Sequence, residues 1–324
     1  MMENIAQNQE SFKDRSGGLK AFGVVLIVIG GFNLLMIPLA VLGSIMSRTM
    51  DAGQSAGYWV FSLLVNLLTY LFLGGIFLGI GIGSIRLKRW VRPVLLSIGW
   101  VWLLLGLMVT AMIFFVMPRM MGNFMLPEVS DPSLIVGIVI MLSGAMSILF
   151  MVLLPALLIW FYSQSSVKQT LEAKDPGPAW TDACPPPVLA MSLFYGINAV
   201  LVLLTSFLGV SIFWGSVIKG MPAVMATIFY GLILAYICYA IYRLDGRGWW
   251  IAVISTAFGT VSSLLIFAKN DPMEIMALMG HSDQLQYAQE GIFMMLRYQG
   301  HILWLSAVTL LGYLLFIKKY FRRA

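Results

Sequence analysis

Asn33, Asn66 and Asn198 each interrupt a long apolar run. A carboxamide in such surroundings offers one kind of chemistry: it donates two hydrogen bonds, accepts others, and is costly to strand without partners. Asn33 and Asn198 each follow a glycine by two positions, in "GFNLL" (31–35) and "GINAV" (196–200). All three amides are candidate polar contacts inside an apolar layer. Asn33 and Asn198 are expected to face protein or a water-filled cavity at similar depths, as interhelical glue. A second set offers shape. Gly75, Gly79 and Gly83 recur every fourth residue, and Gly231 and Ala235 repeat that spacing. Small residues at i, i+4 and i+8 let two helix backbones approach closely, so these five are expected to form packing faces. "GIGIGS" (79–84) has the glycines of a nucleotide-binding loop but no strand before it.

Other chemistry is thin. Met273, Met276 and Met279 lie three apart beside His281. Thioethers suit Cu(I), but the same spacing gives the apolar face of a helix lying in a membrane interface. The interfacial helix is the expectation for residues 270–298. Cys184 and Cys238 belong to no CxxC pair, and neither His281 nor His301 belongs to an HExxH. No nucleophile, base and acid can be assembled from spacing. The residues therefore predict no catalytic group, no metal ligand, no cofactor and no nucleic-acid partner.

The elements that must position these residues follow from composition. Of 324 residues, 60% are hydrophobic and 10% charged, against about 25% charged in a typical soluble domain. Mean hydropathy is +0.90. A soluble core could not hide so much apolar surface, whereas a bilayer solvates it. Runs of roughly 20 apolar residues cross the hydrocarbon as helices that bond their own backbone. Eight spans are expected, near 21–46, 58–83, 94–117, 134–162, 188–214, 222–242, 250–268 and 301–317. The predicted fold class is an all-α polytopic membrane protein, with the lipid bilayer as its first partner.

Charge sets the orientation. With eight spans, one side holds 15 Lys/Arg and the other holds Arg48, Arg119, Lys219, Lys269 and Arg297. Acidic residues divide evenly. Cations in short loops stay cytoplasmic, so both termini are expected there. "GSIRLKRWVRPV" (83–94), with Arg86, Lys88, Arg89 and Arg92, becomes a cytoplasmic turn facing anionic headgroups.

That turn has an echo. "IRLKRWVRPVLL" (85–96) resembles "YRLDGRGWWIAVI" (242–254), each a basic turn leading through tryptophan into a span. "GFNLL" and "GINAV" are 165 positions apart, and Gly75 and Gly79 precede Gly231 and Ala235 by 156. "LLIWFY" (157–162) resembles "LLFIKKY" (314–320). The expected organisation is a short amino-terminal arm (1–20), a four-span unit (21–162), a linker (163–187) and a second four-span unit with a basic tail (188–324). An even number of helices per unit makes the repeats parallel. The linker, "SQSSVKQTLEAKDPGPAWTDACPPP", is predicted to be helical over "SVKQTLEAK" and extended at its prolines. Trp180 and the "CPPP" run are expected to lie on the membrane surface.

"WTDACPPPVLAMSL" opening a second unit, with "RLKRWVRP" closing a hairpin, resembles uncharacterised multi-pass inner-membrane proteins of bacteria built from two tandem four-span units. The resemblance implies a class and an inner-membrane address. It brings no known activity and assigns no functional residue.

Three functional classes remain open. A non-enzymatic protein acting through lipid, membrane-protein or cytoplasmic-protein partners fits the missing catalytic groups and is the leading expectation. A permease for a neutral or lipid-like small molecule fits eight spans in two units, and a lipid-headgroup enzyme ranks third. Reporter fusions after residues 90, 175, 246 and 324 should read cytoplasmic, and fusions near 125 and 285 external. An external reading at 175 would overturn the count of four spans before the linker.

Overall fold

The computed structural model describes residues 13–50, 56–115, 132–269 and 285–321. The Met-rich stretch 270–284, with His281, lies outside them, as do the side chains of residues 285–302, including His301. Among the described residues, eight helices are long and apolar enough to cross a membrane. The protein is an all-α polytopic membrane protein.

The spans are α1 (Ser16–Met50), α2 (Ala56–Ile85) and α3 (Val91–Phe115), then a fourth in three pieces. That fourth span runs from α4 (Pro132–Ser147) through a π-helical turn (Ile148–Leu153) into α5 (Leu154–Ser163). Pro155 accounts for the irregularity, because it has no N–H to return to the Met151 carbonyl four residues earlier. That carbonyl lies against Gly106 of α3, where no Cβ would fit. A linker helix, α6 (Ser165–Lys174), and a 3-10 turn (Trp180–Ala183) lead into α7 (Pro186–Thr205). The helical start of the linker matches the sequence expectation.

A short hairpin follows α7, with β1 (Val210–Phe213) antiparallel to β2 (Ser216–Lys219). Its two-residue turn places Trp214 and Gly215 at positive φ (50° and 76°), as the twist of a tight hairpin requires. The expected fifth span, 188–214, therefore ends early, and the chain turns back before α8 (Met221–Tyr242). The last two spans are α9 (Gly246–Lys269) and α10 (Leu285–Phe321). α10 is one continuous helix; the first half of the expected interfacial segment, 270–284, lies outside the described residues.

Glycines do bring helices together, but mostly not the expected ones. α1 and α2 pack along Gly23, Gly30, Gly74 and Gly81. A Cβ on Gly81 would lie 2.8 Å from the Gly23 carbonyl, and one on Gly30 would lie 3.0 Å from the Gly74 carbonyl. Gly75 and Gly79 face open space, and Ala235 is exposed, so these three do not form the seam. Gly83 packs against the Trp90 and Val91 side chains, and Gly231 against Leu203 of α7. The seam glycines stand seven apart in each helix, so the close approach falls on neighbouring positions of α2 and not on the predicted i+4 run.

The same contacts recur in both halves of the chain. Gly74 touches Leu34 and the Gly30 carbonyl; Gly231, 157 positions later, touches Leu203 and the Ala199 carbonyl, each 169 positions later. Gly23 lies over the Gly81 carbonyl, and Ser192 Oγ donates to the Cys238 carbonyl at 2.9 Å in the matching place. α2 and α8 end alike. Leu87 and Leu244 sit at φ of 56° and 59°, each N–H reaching the carbonyl three residues back, and the next N–H the carbonyl five back.

Two clusters of buried residues result. One joins Leu19, Leu26, Ile80, Val94, Leu95, Leu158 and Tyr162 with Val167 and Leu171 of α6. The other joins Val188, Tyr195, Ile237, Ile241, Trp249 and Leu314. Gly81→Ala should lower stability by roughly 1–3 kcal/mol through overpacking. Gly79→Ala, two residues away on the opposite side of the helix and facing open space, should stay within about 0.5 kcal/mol of wild type. Thermal unfolding of both variants in mild detergent checks the pair.

Candidate functional site

Where α3 meets the second half of the chain, the helices leave a cavity of about 440 Å3, within the range of small-molecule sites. Ser97, Trp100, Leu104, Leu105 and Met108 line it from α3, and Met191, Phe194, Tyr195, Asn198 and Val202 from α7. Tyr230 and Leu234 of α8 add to the floor, with Thr256, Gly259, Thr260 and Ser263 of α9. α10 contributes Leu303, Ser306, Ala307, Thr309, Leu310 and Tyr313. Ser97, Met191, Tyr195, Leu234 and Ala307 are buried. Trp100, Leu104, Leu105, Ser306 and Thr309 are exposed, so the cavity is a groove opening sideways between α3 and α10. None of the lining side chains carries a formal charge.

Most polar groups in the groove bond their own helix. Ser97 Oγ donates to the Pro93 carbonyl, Thr260 to Thr256 and Thr309 to Leu305, at 2.7 to 2.8 Å. Tyr313 reaches across to the Pro187 carbonyl at 3.0 Å. The Tyr195 and Thr256 hydroxyls join α7 to α9 at 2.9 Å. The Tyr230 hydroxyl lies over Gly259, 3.4 Å from where a Cβ would be.

The three asparagines behave alike, and none acts as glue in the bonds seen. Asn33 Nδ2 donates to the Ile29 carbonyl at 2.9 Å, Asn66 to Ser62 at 2.9 Å and Asn198 to Phe194 at 2.8 Å. Each reaches back one turn within its own helix, which supplies a partner for one of its two N–H donors. Asn198 lines the groove, Asn33 is half-buried on α1 and Asn66 is exposed. The recurring contacts also separate the two predicted partners. They match Leu34 with Leu203, so Asn33 falls opposite Val202 and Asn198 opposite Ile29. The two amides stand one helical turn apart in that register, roughly 6 Å along the axis.

Sequence spacing did not single out the groove. Thr256, Gly259, Thr260 and Ser263 nevertheless form a small polar stripe at helical spacing in "STAFGTVSS", and that stripe was the available signal. Tyr195 and Tyr230 carried none, because aromatics are common throughout the spans.

The basic turn between α2 and α3 is engaged with the linker. Lys88 Nζ donates to Asp175 Oδ1 at 3.3 Å, and the Arg89 backbone N–H to Asp175 Oδ2 at 3.1 Å. The Arg89 guanidinium stands 3.5 Å from both Glu172 and Asp182. Arg92 Nε donates to the Tyr162 carbonyl at 2.9 Å, and Arg86 is exposed. Trp180 is likewise held by protein: its ring lies 6.4 Å from those of Trp90 and Tyr242, and its carbonyl accepts from the Tyr242 hydroxyl at 2.6 Å. The linker thus ties the turn after α2 to the end of α8.

The Arg89 backbone N–H, then Lys88, hold the Asp175 carboxyl below its usual range. A depressed carboxylate pKa contributes stability above the unfolded value and loses it as pH falls through the folded one. The contact therefore persists through mild acid and fails only below the ordinary carboxylate range.

Cys184 sits beside this latch, 3% exposed, and burial pushes its thiol up to about 12. Maleimide labelling of Cys184 at neutral pH should be slow. In a Cys238→Ala background, Asp175→Ala combined with Asp182→Ala should speed that labelling a few-fold by loosening the linker. An unchanged rate would mean that the apolar contacts of Val167 and Leu171 hold the linker alone.

Comparison with protein-family models, with curated proteins and with solved structures finds no match for this chain.

Proposed function

We propose that this membrane protein is non-enzymatic and holds a lipid-like molecule in the groove between α3 and α10. The carrying observation is the groove itself: apolar, uncharged, and open toward the region that bilayer lipid would occupy. A ligand already dissolved in the bilayer could enter without crossing water. Hydroxyl and amide groups can orient such a ligand, but no acid or base among the lining side chains is placed to do chemistry on it.

We read the chain as two parallel four-helix units, 21–162 and 188–324, joined by the linker 163–187. The recurring contacts of α1–α2 and α7–α8, and the matching ends of α2 and α8, support that reading. The groove then lies where the third helix of the first unit meets the second unit, and its width depends on how the units sit together. The latch at Lys88, Arg89 and Asp175 is placed to hold that relation. The fifteen-to-five division of cations supports cytoplasmic termini in a bacterial inner membrane.

A photoactivatable acyl lipid, incorporated into nanodiscs with the full-length protein, tests the groove. Crosslinks should concentrate on peptides containing Trp100–Met108 and Phe194–Val202. Ala307→Trp, which fills the floor, should reduce them severalfold with little change in melting temperature. Even labelling over all eight spans would count against the proposal.

A further inference from the structure

Resting on the groove reading, we infer that its occupant is a lipid alcohol: an uncharged head with a free hydroxyl on an apolar tail. Charge argues first. A phosphate or ammonium head in the groove would leave water for a site without a counter-charge, a desolvation cost that hydroxyls do not recover. The charged groups seen near this half of the chain lie at helix ends, as with Arg243, Asp245 and Lys318.

Hydrogen bonding argues second. Asn198, Ser97, Thr260, Thr309 and Tyr313 already spend a donor on backbone carbonyls. Tyr230 differs. Among the described residues no protein group pairs with its hydroxyl, which lies over Gly259, where the missing side chain leaves room. Tyr195 and Thr256 lie on the same wall. Their two hydroxyls share one 2.9 Å bond, and the next acceptor, the Ala252 carbonyl, is 3.5 Å from Tyr195, at the limit of hydrogen-bond range. A phenol offers both a proton and lone pairs. A head that donates and accepts at once, as an alcohol does, satisfies Tyr230 fully, whereas an ester carbonyl only accepts.

The test uses two lipids with identical tails. Radiolabelled 1,2-dioleoylglycerol and 1,2-dioleoyl phosphatidic acid are each titrated against the full-length protein in phosphatidylcholine nanodiscs. Dioleoylglycerol should bind at least about tenfold more tightly. Tyr230→Phe should weaken dioleoylglycerol about tenfold, leave phosphatidic acid unchanged, and keep the wild-type melting temperature. Thr256→Val supplies a second hydroxyl deletion should Tyr230→Phe unfold. Equal binding of the two lipids, or hydroxyl deletions without effect, would overturn the lipid-alcohol assignment while leaving the groove reading intact. If neither lipid bound and Ala307→Trp left acyl-probe crosslinking unchanged, the groove reading would fall as well.

Discussion

A polar group in hydrocarbon has no water to bond, so an amide, hydroxyl or carbonyl in a span must find its partner in protein or in a molecule held by it. Most of what this molecule does with its polar residues follows from that constraint. Asn33, Asn66 and Asn198 lie in different helices with different exposure, yet all three donate to the carbonyl four residues back. Thr69, Ser97, Thr227, Thr260 and Thr309 do the same. A side chain that bonds its own helix is satisfied before any neighbour arrives, and it remains satisfied if that neighbour moves. Other hydroxyls, among them Ser84 with Tyr162, Thr110 with Ser147, Ser192 with the Cys238 carbonyl and Tyr195 with Thr256, join different helices and so mark where helices must stay in register.

The same constraint makes glycine valuable for closeness. Apolar side chains gain little by leaving lipid for one another, so helix pairs depend on van der Waals contact between backbones. The α1–α2 seam uses Gly23, Gly30, Gly74 and Gly81 for this. In α7–α8 the corresponding positions are Ser192, Ala199, Gly231 and Cys238, a less glycine-rich seam held in part by the Ser192 hydrogen bond. One geometry is thus reached by two chemistries.

Where water returns, so does charge. The linker places Glu172, Asp175 and Asp182 under Lys88 and Arg89, all partly exposed. Each such pair is individually weak. The linker is anchored more firmly by Val167 and Leu171, buried in the cluster below α2 and α3, and by the tilted ring contacts of Trp180 with Trp90 and Tyr242. Apolar burial supplies the hold, and the charges select which stretch of linker lies against the turn.

The sequence by itself determined the membrane class, the eight spans and the helical start of the linker, because these depend on composition and on hydropathy along one chain. It also placed the sharp turns after α2 and α8, since "RLKRW" and "YRLDGRGW" are local signals. Tertiary structure decided what depends on how helices face one another. The seam fell on Gly74 and Gly81 instead of Gly75 and Gly79, because which side of α2 meets α1 is set by the whole hairpin. The basic turn met acids some 85 positions away in the linker, a pairing that no local pattern encodes. Asn33 and Asn198 matched by motif but not by contact register, because a helix can slide one turn against its neighbour without disturbing its hydropathy. The groove was least legible. Tyr195, Tyr230 and Thr256 look like ordinary span residues until three helices converge on one space, and that convergence is a property of packing alone.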